Sequence, residues 1–385
     1  MAPSRRPPTD ARRGGAQPID GWTADALPRR PHLTDVARLV GVHPSTVSRA
    51  LDPAKWNLVH ADTRERVRAV ADRLGYTPHA LARGLRRGRT MSVGVIVADV
   101  ANPFASDLLA GITGTLEESS YTPLIAQTHD EPGRLAIVLR NLRDQRVDAI
   151  IVAAARRTEG ALIRASVDPR TSLVLAVRAV EDEPIATVTH DDFAGGQLAA
   201  AHLAALGHRL VAQLQGPDTI SSFFQRALGF TSAATAAGLR VREVRGKGDG
   251  PNPDEGSRLM ERLLSRKGHR PSAVFAHNDW MAIGAIDVLR AHGLACPSDV
   301  SVIGYNDAPL SDHLSPPLSS IRYAAREIGR AAAEVALTRI EDPTAGSVSV
   351  SFAPELVIRE STAPPPKAAP LQAPLRARRR AGAKG

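Results

Sequence analysis

The 385-residue chain is long enough for two or three domains, and its 43% hydrophobic content supplies a substantial core. Its single cysteine, Cys296, excludes an intramolecular disulfide and zinc sites of ordinary cysteine spacing. No uninterrupted apolar run reaches the ~18 residues of a membrane span, and the basic N-terminus lacks the apolar segment of a signal peptide, so a cytoplasmic location is expected.

The net charge of +9 is unevenly placed. Residues 1–30 hold six arginines against three aspartates, 31–90 eleven basic against five acidic residues, and 361–385 six basic residues and no acid. The body between 91 and 360 is left acidic, with 26 basic and 32 acidic residues. A polyanion contact through the front of the chain follows.

Residues 1–30, with five prolines and few apolar side chains, read as a disordered basic extension. Residues 31–76 read as a helix-turn-helix DNA-binding domain. Thr34 stands where an N-cap belongs, and Gly41 permits the tight turn between helices. Pro44 opens a recognition helix over 44–51 at a position that needs no amide hydrogen. Val47 and Leu51 face inward, leaving Ser45, Thr46, Ser48 and Arg49 for phosphate or base edges. A third helix over 62–74 buries Val67, Val70 and Leu74 and turns its arginines outward. Trp56, in the loop before it, has two open readings: packing on the helices or lying against phosphates.

Residues 77–90 form a hinge helix and linker. His79 to Arg87 makes barely two turns, marginal alone in water. His79, Ala82, Arg83 and Arg86 are placed to meet DNA, and two such helices from a dimer could insert Leu85 into a minor groove as a wedge.

From residue 91 strands and helices alternate, the mark of parallel α/β sheets. Two such series, split near 189–192, give a two-lobed α/β core over 91–360 with a cleft between the lobes. The expected division is an N-lobe of about 91–188 plus 319–350 and a C-lobe of about 189–318 plus 351–360. The stretch from Ser319 to Ile340 reads as a return to helix. Ligands in such sheets bind beyond the carboxyl ends of strands, here Asp99, Ala153–Ala155, Arg178, Gly216, Asn278 and Asn306. Residues 361–385, rich in Pro, Ala and Arg, read as a disordered basic tail.

The stretches TDVARLVGVHPSTVSRAL, TRERVRAVADRLGYTPHALARGLR and VGVIVADVANPF resemble the LacI/GalR family of bacterial transcription regulators. So do RALGF at 226–230, FAHNDWMAIGAIDVLRAHGL and DVSVIGYNDAPLSDHLSPPLSSI. The resemblance covers essentially Leu33 to Arg359. It implies a homodimer on a near-palindromic double-stranded operator, a hinge helix that forms on DNA, and a type I periplasmic-binding-protein-like core that takes a small effector. It places Asp99 and Phe104 at ligand, Arg178 at the end of its strand, and Arg226 as the cleft arginine. Asn278 is the contact of the ND pair, with Asp279 as a helix N-cap. Asp192 lies near ligand, and Ser222 and Phe223 sit on a specificity loop. Asn306 stands where the family often has Asp, and Val177 where an Asp is usual; both depart from the ordinary sugar pocket. Each of these residues also admits a packing or capping role, and His190 and His208 read as turn residues.

No GxSxG elbow, Walker loop, HExxH or ordered GxGxxG occurs, so no enzymatic activity, cofactor or metal is expected. The reading is a sequence-specific repressor, cytoplasmic and nucleoid-associated when bound, controlled by a sugar or sugar derivative. The alternative effector is a nucleoside, purine or other metabolite acting in corepression.

Overall fold

The computed structural model describes residues 31–76, 89–246 and 250–366. The chain divides between Thr90 and Met91 into two units, each with its own core.

In the first unit, helices α1 (Leu33–Val40), α2 (Pro44–Ala50) and α3 (Ala61–Leu74) bury Val36, Val40, Val47, Ala50, Val67, Ala71 and Leu74 against one another. Gly41 ends α1 in the left-handed region at φ 72°, a conformation that costs glycine nothing. The start of α1 differs from expectation. Its N-cap is His32, whose amide donates to Asp35 Oδ2 at 2.9 Å, and Thr34 is an exposed residue of the first turn. The acidic residue three positions on makes this half of a capping box and draws the helix start forward.

Trp56 packs within this unit. Its indole N–H donates to the Ala50 carbonyl at 3.1 Å, closing α2, and the Arg68 guanidinium lies 4.2 Å from its ring centroid. Two arginines of α3 likewise serve the fold: Arg64 donates to the Trp56 carbonyl at 2.7 Å and Arg66 to that of Val40 at 2.7 Å. Carbonyls orphaned at helix ends thereby find donors.

The second unit holds two six-stranded sheets. The strands are β1 (Ser92–Val97), β2 (Thr122–Gln127), β3 (Ala149–Val152), β4 (Ser172–Ala176), β5 (Ala186–His190), β6 (Leu210–Gln215), β7 (Arg240–Arg245), β8 (Ala273–Ala276), β9 (Ser301–Asn306), β10 (Ser319–Arg322), β11 (Ser349–Phe352) and β12 (Glu355–Val357). The first sheet runs β11-β5-β4-β3-β1-β2 and the second β12-β10-β9-β8-β6-β7. All neighbours are parallel except β10 and β12. The helices are α4 (Pro103–Glu118), α5 (Arg134–Asp144), α6 (Gly160–Ser166), α7 (Asp192–Ala205), α8 (Ser221–Ala236), α9 (Pro253–Leu264), α10 (Asp279–Ala291) and α11 (Ala325–Glu341).

The chain passes between sheets three times: after His190, after Arg322, and between Phe352 and Glu355. The lobe boundaries expected from sequence shift accordingly. The first lobe runs through β5 to His190 and through β11 to Phe352, and Ser319–Arg322 belongs to the second sheet as β10, in register with Ile303–Asn306. This stretch is no part of the following helix, which begins at Ala325. Its buried serines hide the strand from a hydrophobicity reading; Ser320 Oγ donates to Asp279 Oδ1 at 2.6 Å.

The disorder expected from Ser361 onward is corrected for residues 361–366, while the expected basic extension at 1–30 and the rest of the tail, 367–385, lie outside the described residues. Ser361 is fully buried: its hydroxyl donates to the Val302 carbonyl at 2.6 Å and accepts from the Ser319 amide at 2.8 Å. Thr362 Oγ1 meets His202 Nε2 at 2.9 Å, and the Ala363 carbonyl accepts from His208 Nε2 at 3.0 Å. His208, fully buried, is thus a clip for the returning chain rather than a turn residue.

Helices α7 and α8 run unusually close. A Cβ on Gly229 would stand 1.9 Å from the Phe193 carbonyl oxygen. This contact holds Arg226 against Asp192.

Candidate functional site

In the first unit α2 presents the candidate DNA face. Val47 and Ala50 are buried, so the helical repeat turns Ser45 and Arg49 to solvent and leaves Thr46 and Ser48 half-buried. His43 caps the helix: its Nδ1 accepts from the Ser45 amide at 3.2 Å and lies 2.8 Å from Ser45 Oγ. The histidine is exposed at the start of the candidate DNA-facing helix, a capping role that the sequence reading did not single out although its place before Pro44 marks it. The expected hinge helix, with His79, Ala82, Arg83, Leu85 and Arg86, lies outside the described residues.

In the second unit a cavity of about 200 Å³ opens at the carboxyl ends of the strands. The first lobe lines it with Asp99, Asn102, Phe104, His129, Asp130, Val177 and Arg178, and the second with Pro251, Asn252 and Trp280. Of the predicted contacts, Asp99, Phe104 and Arg178 line this cavity.

Arg178 is clamped by Asp130, Nη1 to Oδ1 at 2.6 Å and Nη2 to Oδ2 at 2.9 Å. Paired N–H donors matching both carboxylate oxygens make the strong, planar form of this contact. Burial alone would raise the Asp130 carboxyl, but the charge and hydrogen bonds of Arg178, with the charge of Arg156, hold it below the usual carboxylate range. Arg156 also donates to the Asp130 carbonyl. Asp130 was not found from sequence, because nothing local marks a carboxylate 48 residues from its partner.

The backbone around this pair is strained. His129, Asp130 and Val177 all lie at positive φ, 53°, 52° and 69°. For a β-branched residue such as Val177 that region is a steric outlier, and strain of about 1–3 kcal/mol per residue persists where the surroundings over-determine it, commonly at ligand sites. Phe104 is set edge-on against Tyr323, with centroids 4.8 Å apart.

The remaining predicted contacts do not line this cavity. Arg226 is buried and engaged: Nε donates to Asp192 Oδ1 at 2.8 Å, Nη1 to the His277 carbonyl at 2.5 Å, and its guanidinium sits 3.6 Å from the Tyr305 centroid. Burial opposes its charge, but Asp192, with Tyr305 and Tyr323, outweighs that and holds the guanidinium above its ordinary range. Phe223 and Ser222 are buried beside it, with Phe223 stacked on His277. Asn278 is the N-cap of α10, accepting from the Met281 amide at 2.8 Å, and its Nδ2 donates to the carbonyl of Pro251 at 2.8 Å. It therefore acts one layer behind the cavity wall. The capping role expected of Asp279 thus falls to Asn278. Asp279 instead accepts from the Ala308 amide at 2.7 Å and from Ser320, and burial pushes its carboxyl up to about 7. Asn306 ends β9 at φ 111°.

A helical DNA-reading unit and a two-lobed α/β core with a strained, polar cleft define a ligand-responsive transcription regulator. Residues 32–79 match the family of bacterial regulatory proteins of the lacI type, and residues 200–362 match the periplasmic binding protein-like domain. The HTH-type transcriptional repressor PurR of Haemophilus influenzae (strain PittEE) is 32% identical over 336 residues, spanning 86% of this chain and 98% of that protein. The solved lac repressor dimer bound to operator and the anti-inducer ONPF is 25% identical, with a TM-score of 0.76 over 87% of this chain and 100% of that one. The transcriptional regulator CelR–cellobiose complex is 29% identical, with a TM-score of 0.62 over 86% of this chain and 100% of that one. The chain belongs to the LacI family. It is a DNA-binding transcriptional regulator and not an enzyme.

Proposed function

We propose that this regulator is a homodimeric, cytoplasmic repressor, at the nucleoid when bound, whose hold on a double-stranded operator is set by a sugar or sugar derivative in the interlobe cavity. The observation that carries the effector reading is the Arg178–Asp130 pair, held on left-handed backbone, in a cavity with aromatic Phe104 and Trp280 and polar Asp99, Asn102 and Asn252. Aromatic faces suit the apolar face of a sugar ring, and the ordered polar groups suit its hydroxyls. A cavity of about 200 Å³ fits a small ligand. The solved CelR complex holds cellobiose, and a LacI-family regulator from Enterococcus faecium, 26% identical with a TM-score of 0.61, holds ribose.

Two recognition helices in successive major grooves would be anchored by two hinge segments, with Ser45, Thr46, Ser48, Arg49 and the exposed Thr34 toward DNA and Leu85 as the wedge. Effector-driven change in lobe closure would alter the hinge, and operator would change effector affinity by the same factor. A thermal-shift screen of the full chain against sugars, sugar phosphates and nucleosides tests the reading, followed by operator binding with and without each hit. A sugar that stabilises the core and shifts operator affinity is the expected result. Operator affinity indifferent to every stabilising compound refutes the coupling. A nucleoside or purine is the second reading, favoured by two aromatic side chains in one cavity, which suit a flat heterocycle. It prevails if only those compounds stabilise the core.

A further inference from the structure

The lobes are also joined at a second place, on the rim beside the cavity. Arg157 follows β3 in the first lobe. Its Nε and Nη2 donate to the two carboxylate oxygens of Glu181, in the same lobe, at 2.8 and 3.0 Å. Its Nη1 reaches across to the Asp218 carbonyl at 3.0 Å, and the guanidinium lies 3.6 Å from the centroid of Phe224. Asp218 and Phe224 belong to the second lobe, in the turn after β6 and the first turn of α8. Two main-chain amides of the first lobe add to the joint. The Arg157 amide donates to the Thr219 carbonyl at 2.8 Å, and the Ala179 amide to Ser221 Oγ at 2.8 Å.

The Arg157–Glu181 pair alone would contribute little, since Glu181 is half exposed and surface pairs are screened. Its effect is to orient the guanidinium. A planar cation fixed by a carboxylate presents its face to an aromatic ring and its free edge to a carbonyl at small entropic cost. With the Arg157 side chain 22% exposed, that stack is largely shielded from water.

The joint is also covalently tied to the cavity. Ala179 follows Arg178, and Arg156, which donates to the Asp130 carbonyl, precedes Arg157. Any rearrangement of the Arg178–Asp130 pair therefore pulls on both strands of the joint.

We propose that Arg157 is an interlobe latch, a positioning residue that sets how far the cleft stands open and transmits changes at the Arg178–Asp130 pair to the turn 218–224. The inference goes beyond the regulatory reading and stands on contacts within the core, whatever the effector proves to be.

Hydrogen exchange by mass spectrometry on the full-length Arg157→Gln variant tests it, because the amides of residues 157 and 179 are donors across the joint. The expected result is exchange at least about tenfold faster in peptides covering 156–160 and 178–181, with the internal strands β1 and β6 unchanged, the pattern of local rather than global opening. Phe224→Leu should give a smaller increase at the same peptides, and Glu181→Gln, which leaves the cross-lobe contacts in place, a smaller one still. Unchanged exchange at 157 and 179 in Arg157→Gln overturns the proposal, as does a uniform increase across both lobes. If Arg157→Gln does not yield folded protein, Arg157→Lys, which keeps the charge but loses the flat stack, decides by the same peptides.

Discussion

The Arg178–Asp130 pair permits a quantitative test. Asp130→Ala leaves the Arg178 guanidinium, in a side chain only 9% exposed, without either of its bonds at 2.6 and 2.9 Å. Stranding one member of a buried pair costs roughly 3–5 kcal/mol. Because the Asp130 side chain is 19% exposed and the cavity admits solvent, about half of that is expected, ~2 kcal/mol. For a core of this size that lowers Tm by roughly 4–8 °C. Urea denaturation of wild type, Asp130→Ala, Arg178→Ala and the double variant closes a mutant cycle, with an expected coupling of about 1.5–2.5 kcal/mol. The same cycle run against pH checks the electrostatics. The folded-state pKa of Asp130 is depressed, so the pair's contribution is complete above the unfolded value of about 3.9 and fades as pH falls through the lower folded value. The gap between wild type and Asp130→Ala should stay constant from about pH 5 upward and narrow below about pH 4. Additive single variants, with coupling below about 0.5 kcal/mol, would refute the reasoning.

Gly229→Ala should destabilise the core by about 2 kcal/mol or more, because the added methyl meets the Phe193 carbonyl oxygen at 1.9 Å and the two helices must separate; a urea midpoint equal to wild type contradicts this. Asp279, raised to about 7 by burial, keeps its proton in the folded state well above the pH at which the unfolded chain loses it. Stability should therefore fall between about pH 4 and 7, and Asp279→Asn should abolish that slope in urea titrations at several pH values. Trp56→Phe, which removes the bond to the Ala50 carbonyl but keeps a ring under Arg68, should cost the first unit about 1 kcal/mol, read from thermal melts of the full chain by near-UV circular dichroism. Arg49→Ala should cost roughly 1–3 kcal/mol of base discrimination in operator-variant binding assays; a loss equal for all sequences would place Arg49 on phosphate.

Much of the architecture was legible because it rests on local pattern. Gly41, Pro44 and the spacing of Val47 announced the turn and α2, and short apolar runs between helices announced β1 to β9, but not β10, β11 or β12. What escaped depends on side chains far apart in sequence. Ser319–Arg322 looks like neither a buried strand nor a lobe crossing, because its serines are satisfied by Asp279, Ser361 and Thr362 only once folded. Ser361 itself, set in a Pro/Ala-rich stretch, gives no sign of full burial. At the site, Asp99, Phe104 and Arg178 were marked by their place after strands. Asp130 and Trp280 enter the cavity through tertiary packing alone. Arg226 showed the opposite failure: its motif was plain, but its partners Asp192, Tyr305 and the His277 carbonyl were invisible until the sheets were assembled.

The triple passage of the chain between the sheets governs the order in which the molecule is made. β11 and β12, the edge strands next to β5 and β10, and the Ser361 clip all come from residues 349–363, so neither lobe is whole until almost all of the described chain has been synthesised. The helical unit at 31–76 has its entire core in hand some 270 residues sooner. During translation a segment able to fold as a DNA reader thus emerges well before the part that governs it, and domains commonly fold as they emerge. A ribosome stalled in the last strands would carry a finished reader joined to two unfinished lobes. In this chain the final fifteen residues of the core decide whether the regulator can be regulated.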